Sequence, residues 1–147
     1  MEKTKDMTWK ELFDVVRVPV VLMVLVEFAA GVALGTVFGS KIDASLGKLL
    51  SYAIAFAFCG WAGYSAVKKY GGTPFNHGAR AGAVTGAFAN LIRVVIVLFL
   101  LGYGAETYGN VLGVFTLIVA SVGALVSGGI WGAVSGTICA YLAQQKK

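Results

Sequence analysis

Charge is what this sequence has least of. Asp, Glu, Lys and Arg make up 13% of its 147 residues, and 58% are hydrophobic. A soluble domain carries about a quarter charged residues, so a chain this poor in charge cannot cover itself with water-facing groups. Much of its outside is expected to face lipid, with membrane lipids as its immediate partners. Histidine is limited to His77; with no second histidine and no adjacent acid or thiol cluster, a metal site lacks support. The two cysteines, Cys59 and Cys139, fall in apolar runs at depths that differ by about 7 Å at 1.5 Å per residue. They read as small packing residues rather than a disulfide. No Ser/His/Asp set, Cys-x-x-Cys, haem-attachment motif or phosphate-binding glycine loop is present. A non-enzymatic protein without cofactor is therefore expected.

What is present is a series of long apolar runs, the mark of membrane-spanning helices. Four spans are predicted at about 19–38, 49–67, 81–101 and 111–142. The fold class that follows is an all-α integral membrane bundle of four transmembrane helices in a single domain. The first eighteen residues are more polar. Thr8 and Glu11 have the spacing of a capping box, and Trp9, Leu12, Phe13 and Val16 recur at helical spacing. This pattern predicts a short amphipathic helix in the membrane interface, with Pro19 marking the turn into the first span. The last run is too long for a simple crossing. Its 32 residues, 111–142, would measure about 48 Å as one helix against a hydrocarbon core of about 30 Å. An outer extension, or a kink near Gly123 or the Gly128–Gly129 pair, is expected.

The net charge of +5 is read as topology rather than nucleic-acid binding. With the N-terminus inside, nine basic residues (Lys3, Lys5, Lys10, Arg17, Lys68, Lys69, Arg80, Lys146 and Lys147) fall on the inner side and two, Lys41 and Lys48, on the outer. By the positive-inside rule both termini of a plasma or cell membrane protein would be cytoplasmic.

Glycines recur every fourth residue in three places: Gly31, Gly35 and Gly39; Gly78, Gly82 and Gly86; Gly128, Gly132 and Gly136. Such ridges let helix backbones approach closely, within one chain or between subunits. Gly82-Ala83-Val84-Thr85-Gly86 is nearly repeated as Gly132-Ala133-Val134-Ser135-Gly136. On antiparallel neighbours both patches lie at the same depth, so the third and fourth helices are expected to touch there.

Inside the spans stand Glu27, Asn90 and Arg93. An ionisable group mid-membrane costs roughly 2.5–3.5 kcal/mol on insertion scales and needs a partner, a cavity or a purpose. Glu27 and Asn90 lie at equal depth and Arg93 one turn further, about 4.5 Å, so the three could form one buried cluster between the first and third helices. The segment Val26 to Gly39, with its acidic residue followed by small residues and glycines, resembles the first pore helix of large-conductance mechanosensitive channels. The two-span plan, large outer loop and cytoplasmic helix of that family have no counterpart here. The function expected is a small, oligomeric transport or permeation component with Glu27, Asn90 and Arg93 at its polar centre. The alternative is a non-catalytic structural or accessory subunit of a larger membrane complex.

Overall fold

A computed structural model describes residues 6–38, 44–100 and 111–145. All of its regular structure is helical: α1 Trp9–Phe38, α2 Ala44–Tyr70, α3 Ala79–Leu100 and α4 Val111–Gln145, with a π-helical turn, Pro74–Gly78, leading into α3. Four helices are long and apolar enough to cross a membrane. Their outward surfaces carry Leu25, Phe28, Leu49, Phe88, Val119 and Ile130, all exposed.

α2, α3 and α4 pack against one another, and α1 leans on α2 and α3 without touching α4 among the described residues. The core that joins α1 to the others is confined to one end of the bundle. Met7, Leu12, Val15, Val16, Val20 and Met23 pack against Cys59, Ala62, Ala66, Ala81 and Ala89. These α1 positions follow the three- and four-residue rhythm of one helix face. Beyond Met23 no apolar α1 residue with a described side chain is buried.

One expectation about helix ends is revised. Residues 9–18 do not form a separate interfacial helix turning at Pro19; α1 runs through Pro19 as one helix of 30 residues. A proline inside a helix removes one backbone bond, but the burial of Val15, Val16 and Val20 on either side of it holds the axis against α2 and α3. Of the forms expected for the last run, α4 takes the single long helix, continuous over 35 residues through Gly123 and Gly128–Gly129. The capping box is formed: the Thr8 amide donates to Glu11 Oε2 at 2.7 Å and the Glu11 amide to Thr8 Oγ1 at 3.4 Å.

The glycines sort into two groups. Gly82 and Gly86 lie directly on the backbones of Gly132 and Gly128, and Gly136 lies on Gly78 and Gly82. A Cβ on any of them would run into a carbonyl of the facing helix. Within the repeated motif, Thr85 and Ser135 are fully buried. Each satisfies its hydroxyl on its own helix, Thr85 on the Ala81 carbonyl at 2.8 Å and Ser135 on the Trp131 carbonyl at 2.9 Å. A buried hydroxyl can therefore sit in an apolar seam without an unmade bond. Gly31 and Gly35 are the other group. A Cβ there meets nothing within 4 Å, so this ridge packs on nothing among the described residues, because the core that holds α1 stops short of it. Gly39 lies outside the described residues.

The end of the bundle holding the termini is closed by a polar collar. Asp14 of α1 is paired with Lys69 and accepts from Tyr70 Oη at 2.9 Å, at the end of α2. His77 is buried; its Nδ1 bonds the Gly71 carbonyl at 2.8 Å and its Nε2 accepts the Met7 amide at 3.2 Å. One ring thus ties the N-terminal segment to the α2–α3 connection. Gly72 makes room for it: its φ is +83°, and a Cβ would collide with the imidazole. Gly72→Ala should cost roughly 1–2 kcal/mol from the left-handed backbone alone, and it should displace His77. Faster tryptic cleavage after Lys10 in the variant, at unchanged helix content, is the expected result; equal rates would refute the tie.

Candidate functional site

Each of the three helices around the cleft ends its buried stripe in a polar residue. On α1 the stripe Val16, Val20, Met23 continues to Glu27, four residues on. On α2 the stripe Ala66, Ala62, Cys59, Ala55 reaches Ser51, and on α3 Ala89 is followed one turn later by Arg93. The polar centre therefore stands where the apolar core stops, and residues of the same inward faces hold it.

The Glu27 side chain is 9% exposed. Its Oε1 accepts from Ser51 Oγ at 3.0 Å. Its Oε2 is buried and has no hydrogen-bond partner, with Arg93 Nη1 at 3.7 Å. That distance is an ion pair but too long for a hydrogen bond. Arg93 is 52% exposed and donates from Nη1 to Ser51 Oγ at 3.1 Å. Ser51 thus links carboxylate and guanidinium, accepting from one and donating to the other.

Asn90 does not join this network. Its Nδ2 donates to the Ala124 carbonyl of α4 at 3.3 Å, reached past Gly128, where a Cβ would meet the amide. Asn90 still lines the same space. A pocket of about 240 Å³ lies between α1, α2, α3 and α4, with Glu27, Ser51, Asn90 and Arg93 on its lining. Tyr52 and Trp131 line it too, their rings tilted at 57° with centroids 5.8 Å apart. A larger cleft of about 870 Å³ shares Glu27, Ser51, Tyr52 and Arg93 and extends away from the termini between apolar walls such as Leu34 and Ile96, with Lys48 on its lining.

Sequence reasoning brought Glu27 and Arg93 together by depth and missed Ser51, Tyr52 and Trp131. Ser51 was findable as a hydroxyl one helical turn beyond Lys48 and four residues before Ala55. The aromatic pair was not, because Tyr52 and Trp131 are on α2 and α4 and nothing in the sequence relates their azimuths. The thiols Cys59 and Cys139 are free. Cys59 borders the pocket, whereas Cys139 packs on Gly60.

Comparison with known proteins finds no family model, no curated protein and no solved structure that matches this chain.

Proposed function

We propose that this chain is an integral membrane protein that moves a small polar solute through its bundle, with both termini on the cytoplasmic side. The observation that carries the reading is the unmade bond on Glu27 Oε2, buried at the wall of a polar pocket of about 240 Å³. A purely structural ion pair gains by closing its hydrogen bonds, because a buried unsatisfied acceptor costs about 1–3 kcal/mol. Here the acceptor is left open beside a space that adjoins the larger cleft. The excess of basic residues among those assigned to the inner side supports the orientation.

The test is solute-driven swelling of liposomes containing the purified protein, followed by light scattering. Swelling that depends on the protein and falls at least tenfold in Glu27→Gln is expected. Rates equal to those of empty liposomes would overturn the reading.

A second reading, a non-catalytic subunit of a larger complex, is favoured by one observation, the open faces of Gly31 and Gly35 on α1. It predicts purification with fixed partners in stoichiometric amount. A homogeneous particle of this chain alone would count against it.

A further inference from the structure

The pocket's chemistry narrows the solute, on the premise that it is a solute site at all. Glu27 and Arg93 stand 3.7 Å apart with their mutual hydrogen bond unmade. The carboxylate lacks a donor at Oε2. Among the described residues the guanidinium has one hydrogen-bond partner, Ser51, out of five N–H groups it can offer. A species completing both must donate on one side and accept on the other.

Charge then discriminates between classes. The pair sums to zero. A lone cation at Glu27 would stand beside the Arg93 guanidinium, and a lone anion at Arg93 beside the Glu27 carboxylate. Either leaves the site one charge from neutral beside a carboxylate that is nine-tenths buried, where an unbalanced charge is costly. A molecule carrying both charges leaves the sum at zero and makes a charge-assisted bond at each end, roughly twice as strong as a neutral one. The volume agrees: about 240 Å³ holds about eight waters at about 30 Å³ each, enough for a molecule of several heavy atoms. Tyr52 and Trp131 face the same space, and aromatic rings attract ammonium groups through their negative faces.

We propose that this pocket binds a small zwitterion, an ammonio-carboxylate, with its carboxylate on Arg93 and its ammonium between Glu27 Oε2 and the Tyr52–Trp131 pair. The short separation of Glu27 and Arg93 suits an ammonium and a carboxylate on the same carbon. Lys48, on the lining of the adjoining cleft, would be met by the carboxylate end on the way in.

The experiment is isothermal titration of the purified full chain in detergent with four probes at equal ionic strength: glycine, trimethylglycine, tetramethylammonium and acetate. Glycine, which carries both N–H donors and a carboxylate, is expected to bind at least tenfold more tightly than either single ion and than trimethylglycine, whose quaternary nitrogen has no N–H for Glu27 Oε2. Glu27→Gln and Arg93→Gln should each weaken glycine at least tenfold, and Trp131→Leu should weaken it by a smaller factor. The ranking of probes on the wild-type chain tests the proposal even if a charge variant fails to fold. Trimethylglycine, tetramethylammonium or acetate binding as tightly as glycine would overturn the proposal and leave the transport reading standing. Binding by none of the four would overturn the site as a zwitterion site, and liposome swelling that still requires Glu27 would show that transport survives without it. Zwitterion binding without any flux would support the site and sink the transport reading instead.

Discussion

Gly82→Ala is expected to cost about 1–3 kcal/mol of stability, the usual range for overpacking a filled interior, and Gly82→Leu to abolish a monodisperse folded protein. The reason is what stands opposite. The new Cβ would meet the Gly132 carbonyl, part of the α4 backbone, and no rotamer change can move it aside. The helices must separate, which also opens the contact of Gly86 with Gly128 one turn away. Gly132→Ala should behave alike, and the double variant should cost less than the sum of the two, because both remove the same contact. Gly31→Ala and Gly35→Ala are the controls. A Cβ there meets nothing within 4 Å, so both should be neutral or slightly stabilising, alanine being the better helix former. Denaturation in detergent, followed by helical circular dichroism, reads the difference. If Gly31→Ala proved as damaging as Gly82→Ala, the division of the glycines into packed and open sets would be wrong.

The second large effect is an asymmetry across the ion pair. Arg93→Leu leaves a carboxylate that is nine-tenths buried without its counter-charge, whereas Glu27→Leu leaves a guanidinium that is half exposed. Stranding one member of a buried pair costs about 3–5 kcal/mol, but exposure screens the arginine. Arg93→Leu should therefore cost about 3 kcal/mol, towards the low end of that range, and Glu27→Leu about 1 kcal/mol. The double variant should be more stable than Arg93→Leu alone, since an apolar pair strands nothing. The same unfolding measurement decides it. Glu27→Leu costing more than Arg93→Leu would mean that the carboxylate, not the guanidinium, does the neutralising.

What could be read from the residues divides along one line: distance along the axis was legible, and rotation about it was not. Long apolar runs locate α2, α3 and α4 within a few residues. Counting inward from the span ends puts Glu27 level with Asn90 and within one turn of Arg93, and sets Gly82 and Gly86 against the α4 glycines. Rotation depends on packing partners. Asn90 and Arg93 differ by three residues, which turns Asn90 towards α4 and leaves Arg93 for Glu27 and Ser51. The Gly31–Gly35 ridge has the same spacing as Gly82–Gly86, yet it meets no partner among the described residues. Pro19 misled for a related reason: a local preference for a helix start gave way to the burial of Val15, Val16 and Val20 around it. His77 looked like a solitary loop residue, and its role as a tie needs the Met7 amide, seventy positions away.

The arrest of the α1 core at Met23 has a mechanical consequence. Among the described residues α1 is closely packed along its first half and sparsely packed along its second. Glu27 sits where the one gives way to the other. Residue 38, at the far end of α1, is about 16 Å further along the axis at 1.5 Å per residue. A tilt of about 10° about Glu27 would carry that end through about 3 Å at this rise. Such a tilt would change the width of the cleft of about 870 Å³ without touching the glycine seam of α3 and α4. The described residues thus divide into a closely packed α3–α4 seam and a sparsely packed outer half of α1, with the buried Glu27 carboxylate at the edge between them.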